Sequence, residues 1–207
     1  MGQLQIVSHP LVSDKISKLR NKNLSPHDFR RLLQEISVIL AIEATAQCPL
    51  KEVDVETPLE KTTGQILAKE IVLVPILRAG LGMLNGFLNI IPNAKIGYLG
   101  VYRNEATLEP VTYYANLPTG IDRSEIFLLD PMLATGGSAN FCLSVIKNHG
   151  GRSITMVSLA SAPEGVALVH KNHPEVKIIT ASLDRELNEK GYILPGLGDA
   201  GDRFNGT

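Results

Sequence analysis

Short apolar runs that recur along the chain are the sequence feature that most constrains the fold. The five clearest runs hold four to seven residues each and are IVLVPIL at 71–77, IGYLGV at 96–101, IFLL at 126–129, ITMVSLA at 154–160 and VKIIT at 176–180. Runs of this length without polar alternation are typical of strands buried on both faces. Helix-like segments at 80–88, 138–148 and 163–172 stand between several of them. This alternation predicts an α/β fold with a parallel sheet and helical crossovers.

Two local patterns add to this outline. Ser25 and Pro26 are expected to begin a helix, because Ser is a good N-cap and Pro suits the first helical position, and apolar residues follow at helical spacing as far as Leu40. The segments 96–102 and 111–114 lie too close together for a crossover helix, so they are expected to pair as an antiparallel hairpin. Its charged tip is either a mobile lid or a solvated turn.

Composition excludes several classes of protein. The 207 residues suit one domain, and 20 basic against 21 acidic side chains leave a net charge of −1, which gives no global attraction to nucleic acid or an anionic membrane. The amino terminus does not resemble a signal peptide, and no run approaches the roughly 18 apolar residues of a membrane span. We therefore expect a soluble intracellular protein. Cys48 and Cys142 lack CxxC spacing and are expected to be inert thiols.

The most informative motif is LLDPMLATGGS at 128–138, where a buried strand ends, a tight loop follows and a helix begins. Ligands of α/β sheets bind beyond the carboxyl ends of strands, and a helix start offers free N–H groups to an anion. Thr135 and Ser138 add hydroxyl donors, while Asp130 can accept hydrogen bonds from sugar hydroxyls. The motif predicts a site for a phosphorylated ribose. A P-loop is disfavoured because no Lys follows Gly136 and Gly137.

Two further glycine-rich segments are candidate sites. Arg78 follows the strand at 71–77 and is either a ligand of pyrophosphate oxygens or a surface residue beside a strand end. Segment 196–201 satisfies GxGxxG, but only six residues follow it, too few for a dinucleotide-binding unit. Its consecutive glycines instead suggest exposed backbone amides and carbonyls that suit a flat ligand. The apolar residues at 192–194 are expected to dock the segment rather than leave a frayed tail.

The histidines give no clear metal site. His170 and His173 have HxxH spacing, but they lie at the predicted exposed end of a helix and lack a third ligand. His9 and His149 are expected to be solvated or to cap helices.

The motif at 128–138 resembles the signature by which type I phosphoribosyltransferases bind phosphoribosyl pyrophosphate (PRPP), in the form found in the uracil phosphoribosyltransferase family. VPILRAGLGM at 74–83, YRNEATLEPV at 102–111 and GYILPGLGDAGDR at 191–203 agree with that family, so the resemblance spans nearly the whole chain. It implies a parallel sheet flanked by helices, a β-hairpin lid and a carboxyl-terminal hood within a single domain, 1–207. The implied reaction joins uracil to PRPP, giving UMP and diphosphate in pyrimidine salvage.

The resemblance also implies which residues bind the substrates. The residues expected to contact PRPP are Arg78, Arg103, Asp130, Pro131, Met132, Leu133, Ala134, Thr135, Gly136, Gly137, Ser138 and Asp199. Those expected to contact uracil are Ile193, Gly198, Asp199 and Ala200, and the catalytic residues are expected to be Arg103, Asp130 and Asp199. The motif has one carboxylate where most type I relatives have two adjacent acidic residues. Mg²⁺ is therefore expected to arrive on the diphosphate of PRPP, with no certain metal ligand in the protein.

Further implications of the resemblance are a cytoplasmic location, a homodimer or larger homo-oligomer, and GTP as an effector in some members. Nucleic acid and membranes are not expected partners. Ala106 replaces a common Glu, and Asn205 replaces a usual aromatic residue; both departures are expected to affect loop closure or tail packing and to leave the chemistry in place. The alternatives are a regulator that binds nucleotide and RNA without turnover, which the charge disfavours, and an enzyme for a purine or orotate.

Overall fold

The structure is a computed structural model that describes residues 2–103 and 110–207, without the side chains of residues 103 and 110. The predicted hairpin tip and Ala106 lie outside the described residues. The helices are α1 (Pro10–Leu19), α2 (Pro26–Thr45), α3 (Leu81–Ile90), α4 (Gly137–Asn148), α5 (Pro163–Asn172) and α6 (Ala200–Asn205). The strands are β1 (Leu4–Ile6), β2 (Leu50–Glu56), β3 (Lys61–Leu67), β4 (Ile71–Leu77), β5 (Lys95–Ile96), β6 (Tyr98–Arg103), β7 (Pro110–Asn116), β8 (Glu125–Leu129), β9 (Met132–Leu133), β10 (Ser153–Ser161), β11 (Lys177–Leu183), β12 (Glu186–Leu187) and β13 (Ile193–Leu194).

Within the described residues, a nine-stranded sheet forms the centre of the fold. Its order is β1-β11-β10-β8-β4-β6-β7, with β5 beside β4 and β9 beside β10. Neighbouring strands are parallel except β6 and β7, which pair antiparallel from Tyr98 opposite Asn116 to Arg103 opposite Pro110. All five predicted apolar runs lie in this sheet. The predicted α/β class and the predicted hairpin are therefore confirmed.

Helices cover both faces of the sheet, which explains why its central strands lack polar alternation. On one face Leu73 and Phe127 belong to the core that α1, α2 and α3 complete, and the ring centroids of Phe87 and Phe127 lie 6.1 Å apart. On the other face Val74 and Leu128 pack with residues of α4 and α5. Successive residues of one strand thus enter opposite cores.

Helix α2 begins as the sequence predicts. Ser25 is its N-cap, Pro26 is its first residue, and the backbone N–H of Asp28 donates to Ser25 Oγ over 3.1 Å. The helix continues to Thr45, beyond the last predicted core position, and its buried positions include Phe29 and Ile36.

Several elements were not predicted. Strands β2 and β3 form an antiparallel hairpin that is exposed on both faces, so its sequence carries no pattern of burial. Strand β1 and helix α1 precede the predicted helix, and His9 caps α1 by accepting a hydrogen bond from the N–H of Leu11 over 3.1 Å. The last part of the chain adds β12, β13 and the short helix α6.

The expectation of an exposed helix end is wrong for His173. This residue is buried because α4 packs against α5, and its ring nitrogens lie 2.6 Å from Lys147 Nζ and 3.1 Å from the carbonyl oxygen of Asn140. The two cysteines are free, and burial raises the pKa of both thiols, which disfavours the reactive thiolate. None of the described helices is long and apolar enough to cross a membrane.

Replacing Ser25 with Ala should destabilise the protein by about 1 kcal/mol, because the cap of α2 is lost while the buried face of the helix is unchanged. The free energy of unfolding in urea measures this effect. Lys22→Ala, an exposed substitution just before the helix, serves as the control. Equal stability of the two variants would show that the Ser25 hydroxyl contributes nothing to the helix start.

Candidate active site

Three segments meet beyond the carboxyl ends of the central strands: the turn after β4, the loop after β8 and the segment after β11. A cavity of about 240 Å³ is lined by Ala79 of the first, Met132 and Ala134 of the second, and Gly191–Ile193 and Gly198–Gly201 of the third. A smaller cavity of about 90 Å³ is lined by Asp130 and by residues 132–139. Met132 and Ala134 line both cavities, so the predicted phosphate loop, residues 131–137, and the predicted uracil-binding segment are direct neighbours.

The smaller cavity lies at the start of α4. Gly136, with a φ of +80°, turns the chain into the helix, and its carbonyl accepts from the N–H of Asn140 over 2.8 Å. No side chain caps this helix, and its first turn contains no acidic residue. The first N–H groups of a helix have no partner within it, and the helix dipole favours an anion beside them. The arrangement therefore suits a phosphate group.

Helix α5 supports the phosphate loop through a close backbone approach. A Cβ added at Gly165 would lie 2.4 Å from the carbonyl oxygen of Ala134, and a Cβ at Gly136 would lie 2.9 Å from the carbonyl oxygen of Gly165. Neither position has room for a side chain. The two glycines therefore set the distance between the loop and α5, and the sequence motif alone did not point to Gly165.

Asp130 follows the last residue of β8 and is partly exposed at the wall of the smaller cavity. The N–H of Met132 donates to its Oδ1 over a long 3.4 Å. Burial of the carboxyl group raises its pKa to about 7, and the hydrogen bond from Met132 only partly opposes the shift. At neutral pH the group is therefore poised between its neutral and ionised forms.

Arg78 lies at the rim of the site, in the turn after β4. The peptide bond that precedes it is cis. Its side chain is largely exposed, and its Nη2 lies 3.7 Å from Oδ1 of Asp202 in α6. An exposed pair of this kind contributes little to stability and can be exchanged for another anion. Arg78 lines neither cavity, but it directly precedes Ala79, which lines the larger one, and its guanidinium is exposed.

The segment after β11 is docked on the core, as predicted. Ile193 and Leu197 are buried, and β12 pairs antiparallel with β13. All four residues expected to contact uracil, Ile193 and Gly198 to Ala200, line the larger cavity. Asp199 also caps α6 by accepting from the N–H of Asp202 over 2.9 Å.

The structure brings most of the other predicted residues to these two cavities. Pro131 lines neither: it is buried behind the loop, where its carbonyl accepts from the N–H groups of Leu159 and Ala160. The side chain of Arg103 lies outside the described part of the chain. Asn205, at the position where the family usually has an aromatic residue, donates to the carbonyl of Gly201 over 2.8 Å within α6.

Comparison with known proteins identifies one family throughout. The family model described as uracil phosphoribosyltransferase matches residues 6–207. A uracil phosphoribosyltransferase of Streptococcus mutans is 51% identical over 208 residues, which cover 100% of each chain. A uracil phosphoribosyltransferase of Fervidobacterium nodosum is 55% identical over 202 residues, which cover 97% of this chain and 98% of the relative.

Solved structures agree in architecture. The AQ2163 protein of Aquifex aeolicus superposes with a TM-score of 0.93 at 41% identity, covering 98% of this chain and 97% of that one. A purine phosphoribosyltransferase of Pyrococcus horikoshii superposes with a TM-score of 0.50 at 14% identity over 76% of this chain and 89% of its own. The second likeness is one of fold alone.

Replacing Gly165 with Ala should push the phosphate loop out of place, because the new methyl group overlaps the carbonyl of Ala134. We expect a loss of about 1–3 kcal/mol in stability from overpacking, together with weaker binding of PRPP. Calorimetric titration of PRPP measures the binding. Ala167→Gly, an exposed change in the same helix, should lower stability without changing PRPP affinity; equal PRPP affinity of both variants would contradict a role for the Gly165 contact.

Proposed function

The chain belongs to the uracil phosphoribosyltransferase family, and we propose that its two neighbouring cavities bind the two substrates of that reaction. The protein is a glycosyltransferase that joins uracil to PRPP, giving UMP and diphosphate in uracil salvage. The observation that supports our placement is the shared wall of Met132 and Ala134. A base in the larger cavity and a phosphoribosyl group at the smaller one would meet at this wall, where the new bond must form.

The phosphate loop holds the 5-phosphate of PRPP in this proposal. The N–H groups at the start of α4 and the hydroxyls of Thr135 and Ser138 supply the donors, and the backbone of 131–137 surrounds the group. Asp130 accepts hydrogen bonds from the ribose hydroxyls in its ionised form. Positive side chains are not needed at this end, which agrees with the described lining of the small cavity, where no Lys or Arg is found.

The departing diphosphate needs positive charge, which Arg78 and Arg103 supply. Arg78 would exchange Asp202 for the diphosphate, since both residues of this ion pair are largely exposed. Arg103 ends β6 at the base of the hairpin, and we propose that closure of the hairpin brings it over the site. Donors aimed at developing negative charge in a site without water are a large source of rate enhancement.

We propose that Mg²⁺ reaches this site bound to PRPP. No three His, Cys, Asp or Glu side chains come together among the residues that the structure describes. Mg²⁺ commonly binds substrate phosphates through its open positions and contacts the protein through one or two carboxylates, often through water. Asp130 and Asp199 are the carboxylates that line the two cavities. When bound, the ion would neutralise negative charge on the diphosphate.

Uracil occupies the larger cavity, and its polar edge faces the backbone of the uracil loop, which we define as residues 193–200. Main-chain groups of this loop supply the N–H, C=O and N–H that complement its acceptor, donor and acceptor. Cytosine has an amino group where uracil has a carbonyl, and would leave a loop N–H without a partner. A mismatch of this type supports discrimination of about 10⁴.

In the chemical step the bond between the anomeric carbon and the diphosphate oxygen breaks, N1 of uracil bonds to that carbon, and the N1 proton passes to the departing diphosphate or to solvent. The phosphate loop fixes one end of the sugar, the uracil loop fixes the base, and the arginines stabilise the leaving group. Holding both reactants at a shared wall replaces a bimolecular encounter by an oriented one. Closure of the hairpin would also exclude water, whose attack on PRPP is the competing reaction.

Four expectations from the family remain proposals for this chain. They are a single domain over 1–207, a cytoplasmic location, assembly as a homodimer or larger homo-oligomer, and a response to GTP.

Incubation of the purified protein with labelled uracil, PRPP and Mg²⁺ tests the function, with formation of UMP and diphosphate as the expected result. Cytosine, orotate and hypoxanthine in parallel reactions separate the uracil enzyme from enzymes for other bases. Faster transfer to orotate or a purine would overturn the assignment. Absence of turnover together with tight binding of RNA would favour a regulator.

The affinity for PRPP should rise with pH through about 7, because the ionised carboxylate of Asp130 accepts hydrogen bonds from the ribose hydroxyls more strongly than the neutral acid does. In Asp130→Asn this dependence is absent. The PRPP dissociation constant of the unmodified protein, divided by that of Asp130→Asn, should therefore fall by about tenfold between pH 6 and pH 8. The ratio cancels the titration of PRPP itself. Calorimetry over this range measures both constants.

The stability of the free protein provides a second measurement of the same carboxyl group. A carboxyl group with a raised pKa favours the folded state below its unfolded pKa near 4, and loses that contribution as the pH rises through about 7. Asp130→Asn should therefore gain stability relative to the unmodified protein between pH 4 and pH 8. If PRPP affinity and unfolding free energy depend on pH in the same way in Asp130→Asn and in the unmodified protein, Asp130 keeps an ordinary pKa.

A further inference from the structure

An ion pair with a buried carboxylate contacts the uracil loop, and its two residues do not line the larger cavity. Arg20 follows α1, and Asp184 follows β11. Arg20 Nη2 lies 2.6 Å from Asp184 Oδ1, and Arg20 Nη1 lies 2.7 Å from Oδ2, so the contact is bidentate. The side chains are 24% and 2% exposed. Ser182 Oγ donates to the same carboxylate over 2.6 Å.

This pair holds both polar backbone groups of Gly196. The carbonyl of Gly196 accepts from Arg20 Nη1 over 2.8 Å, and its N–H donates to Asp184 Oδ2 over 2.9 Å. The residue has a φ of +60°, and a Cβ here would lie 2.1 Å from the carbonyl oxygen of Ile193. The peptide groups on either side of Gly196 are thus fixed in direction.

Arg203 fixes the next carbonyl of the loop. Its Nη1 donates to the carbonyl of Leu197 over 2.7 Å and to that of Leu19 over 2.8 Å. Its Nη2 donates to the carbonyl of Asn21 over 2.6 Å, and its guanidinium carbon lies 4.5 Å from the ring centroid of Phe29. The loop is therefore tied at two consecutive residues to the end of α1.

These contacts leave the polar groups next to the cavity available. No hydrogen bond within the described residues engages the N–H or C=O of Gly198, which lines the larger cavity with a φ of +72°. A glycine-rich loop without the contacts at Gly196 and Leu197 could rotate its peptide groups at low energetic cost, because glycine adopts positive and negative φ about equally. A rotated peptide group would present C=O where uracil needs N–H.

Burial of an ion pair is a poor way to gain stability, since apolar residues of similar volume commonly do as well or better. Burial raises the pKa of Asp184, but the hydrogen bonds from Arg20 and Ser182 outweigh it and leave the pKa below its ordinary value. The carboxylate is therefore charged at neutral pH. Its geometry provides what an apolar contact does not, namely a fixed direction for one N–H and one C=O.

We propose that Arg20 and Asp184 are positioning residues that set the specificity for uracil over cytosine. They act through Gly196, without touching the base. This inference rests on the proposed function, in which the uracil loop binds the base through its backbone. It adds the residues that decide which way that backbone points.

The test compares Asp184→Asn and Arg20→Lys with the unmodified protein. Asn keeps one acceptor but loses the charge, and Lys keeps the charge but cannot form the bidentate contact and reach Gly196 as well. We expect KM for uracil to rise by about 10- to 100-fold, as for the loss of hydrogen bonds to charged groups. PRPP affinity should stay within about threefold, because the phosphate loop is unaffected and Asp199, the uracil-loop residue expected to contact PRPP, is held in place by its cap on α6.

Selectivity gives a readout that general loosening of the fold does not produce. The ratio of kcat/KM for uracil to that for cytosine should fall by about tenfold or more in both variants, since a rotated peptide group offers cytosine the acceptor it needs. Arg185→Ala is the matched control: Arg185 adjoins Asp184 in sequence but is exposed and pairs with Glu186. Its KM values and selectivity should equal those of the unmodified protein.

Thermal unfolding shows whether each variant is folded at the assay temperature. If Asp184→Asn is unfolded, uracil KM and selectivity are measured in Arg20→Lys. Unchanged uracil KM and selectivity in a folded variant would overturn the proposal. So would a parallel loss of uracil and PRPP affinity, which indicates general disruption. Failure of the proposed function has a different signature, since the unmodified protein would then form no UMP.

Discussion

Burial of the parallel sheet on both faces is the constraint on which the rest of the structure depends. Parallel strands need crossover connections, and helices in those connections cover both faces, so every central strand ends at the same edge. The turn after β4, the loop after β8 and the segment after β11 are neighbours for this reason. The packing of the sheet therefore brings together the phosphate loop, Arg78 and the uracil loop. Strand β8 shows this packing, because its residues Phe127 and Leu128 enter opposite cores.

The site divides its work between backbone and charged side chains. In the proposed arrangement, the two ligand loops would meet their substrates with main-chain groups, at the start of α4 and at Gly198, where direction matters more than charge. The three arginines Arg78, Arg20 and Arg203 lie in two other parts of the structure. Arg78 is exposed in the turn after β4, where we propose that it binds the departing diphosphate, while Arg20 and Arg203 donate to carbonyls of the uracil loop. A chain with a net charge of −1 can therefore bind a highly anionic substrate by local arrangement alone.

Much of the fold was predictable because its signals are local. The apolar runs, the Ser25 cap and the motif at 128–138 each lie within a few consecutive residues, and each describes its own element. The ion pair of Arg20 and Asp184 was not predictable, since its members lie 164 residues apart and each alone reads as a surface charge. Gly165 was missed for a similar reason: one glycine in a helix gives no hint of the loop packed against it. The exposed hairpin of β2 and β3 lacks the alternation by which half-buried strands are recognised.

Asp130 illustrates how one position meets two opposed requirements. The close packing that shapes the phosphate loop also removes water from this carboxyl group, which raises its pKa to about 7. A permanently charged carboxylate there would repel the phosphate groups of an approaching substrate. A carboxyl group poised near neutrality can approach the phosphate at lower cost and ionise when sugar hydroxyls donate to it, because hydrogen bonds to the charged form lower the pKa. The long hydrogen bond from Met132 leaves the group free to make those contacts.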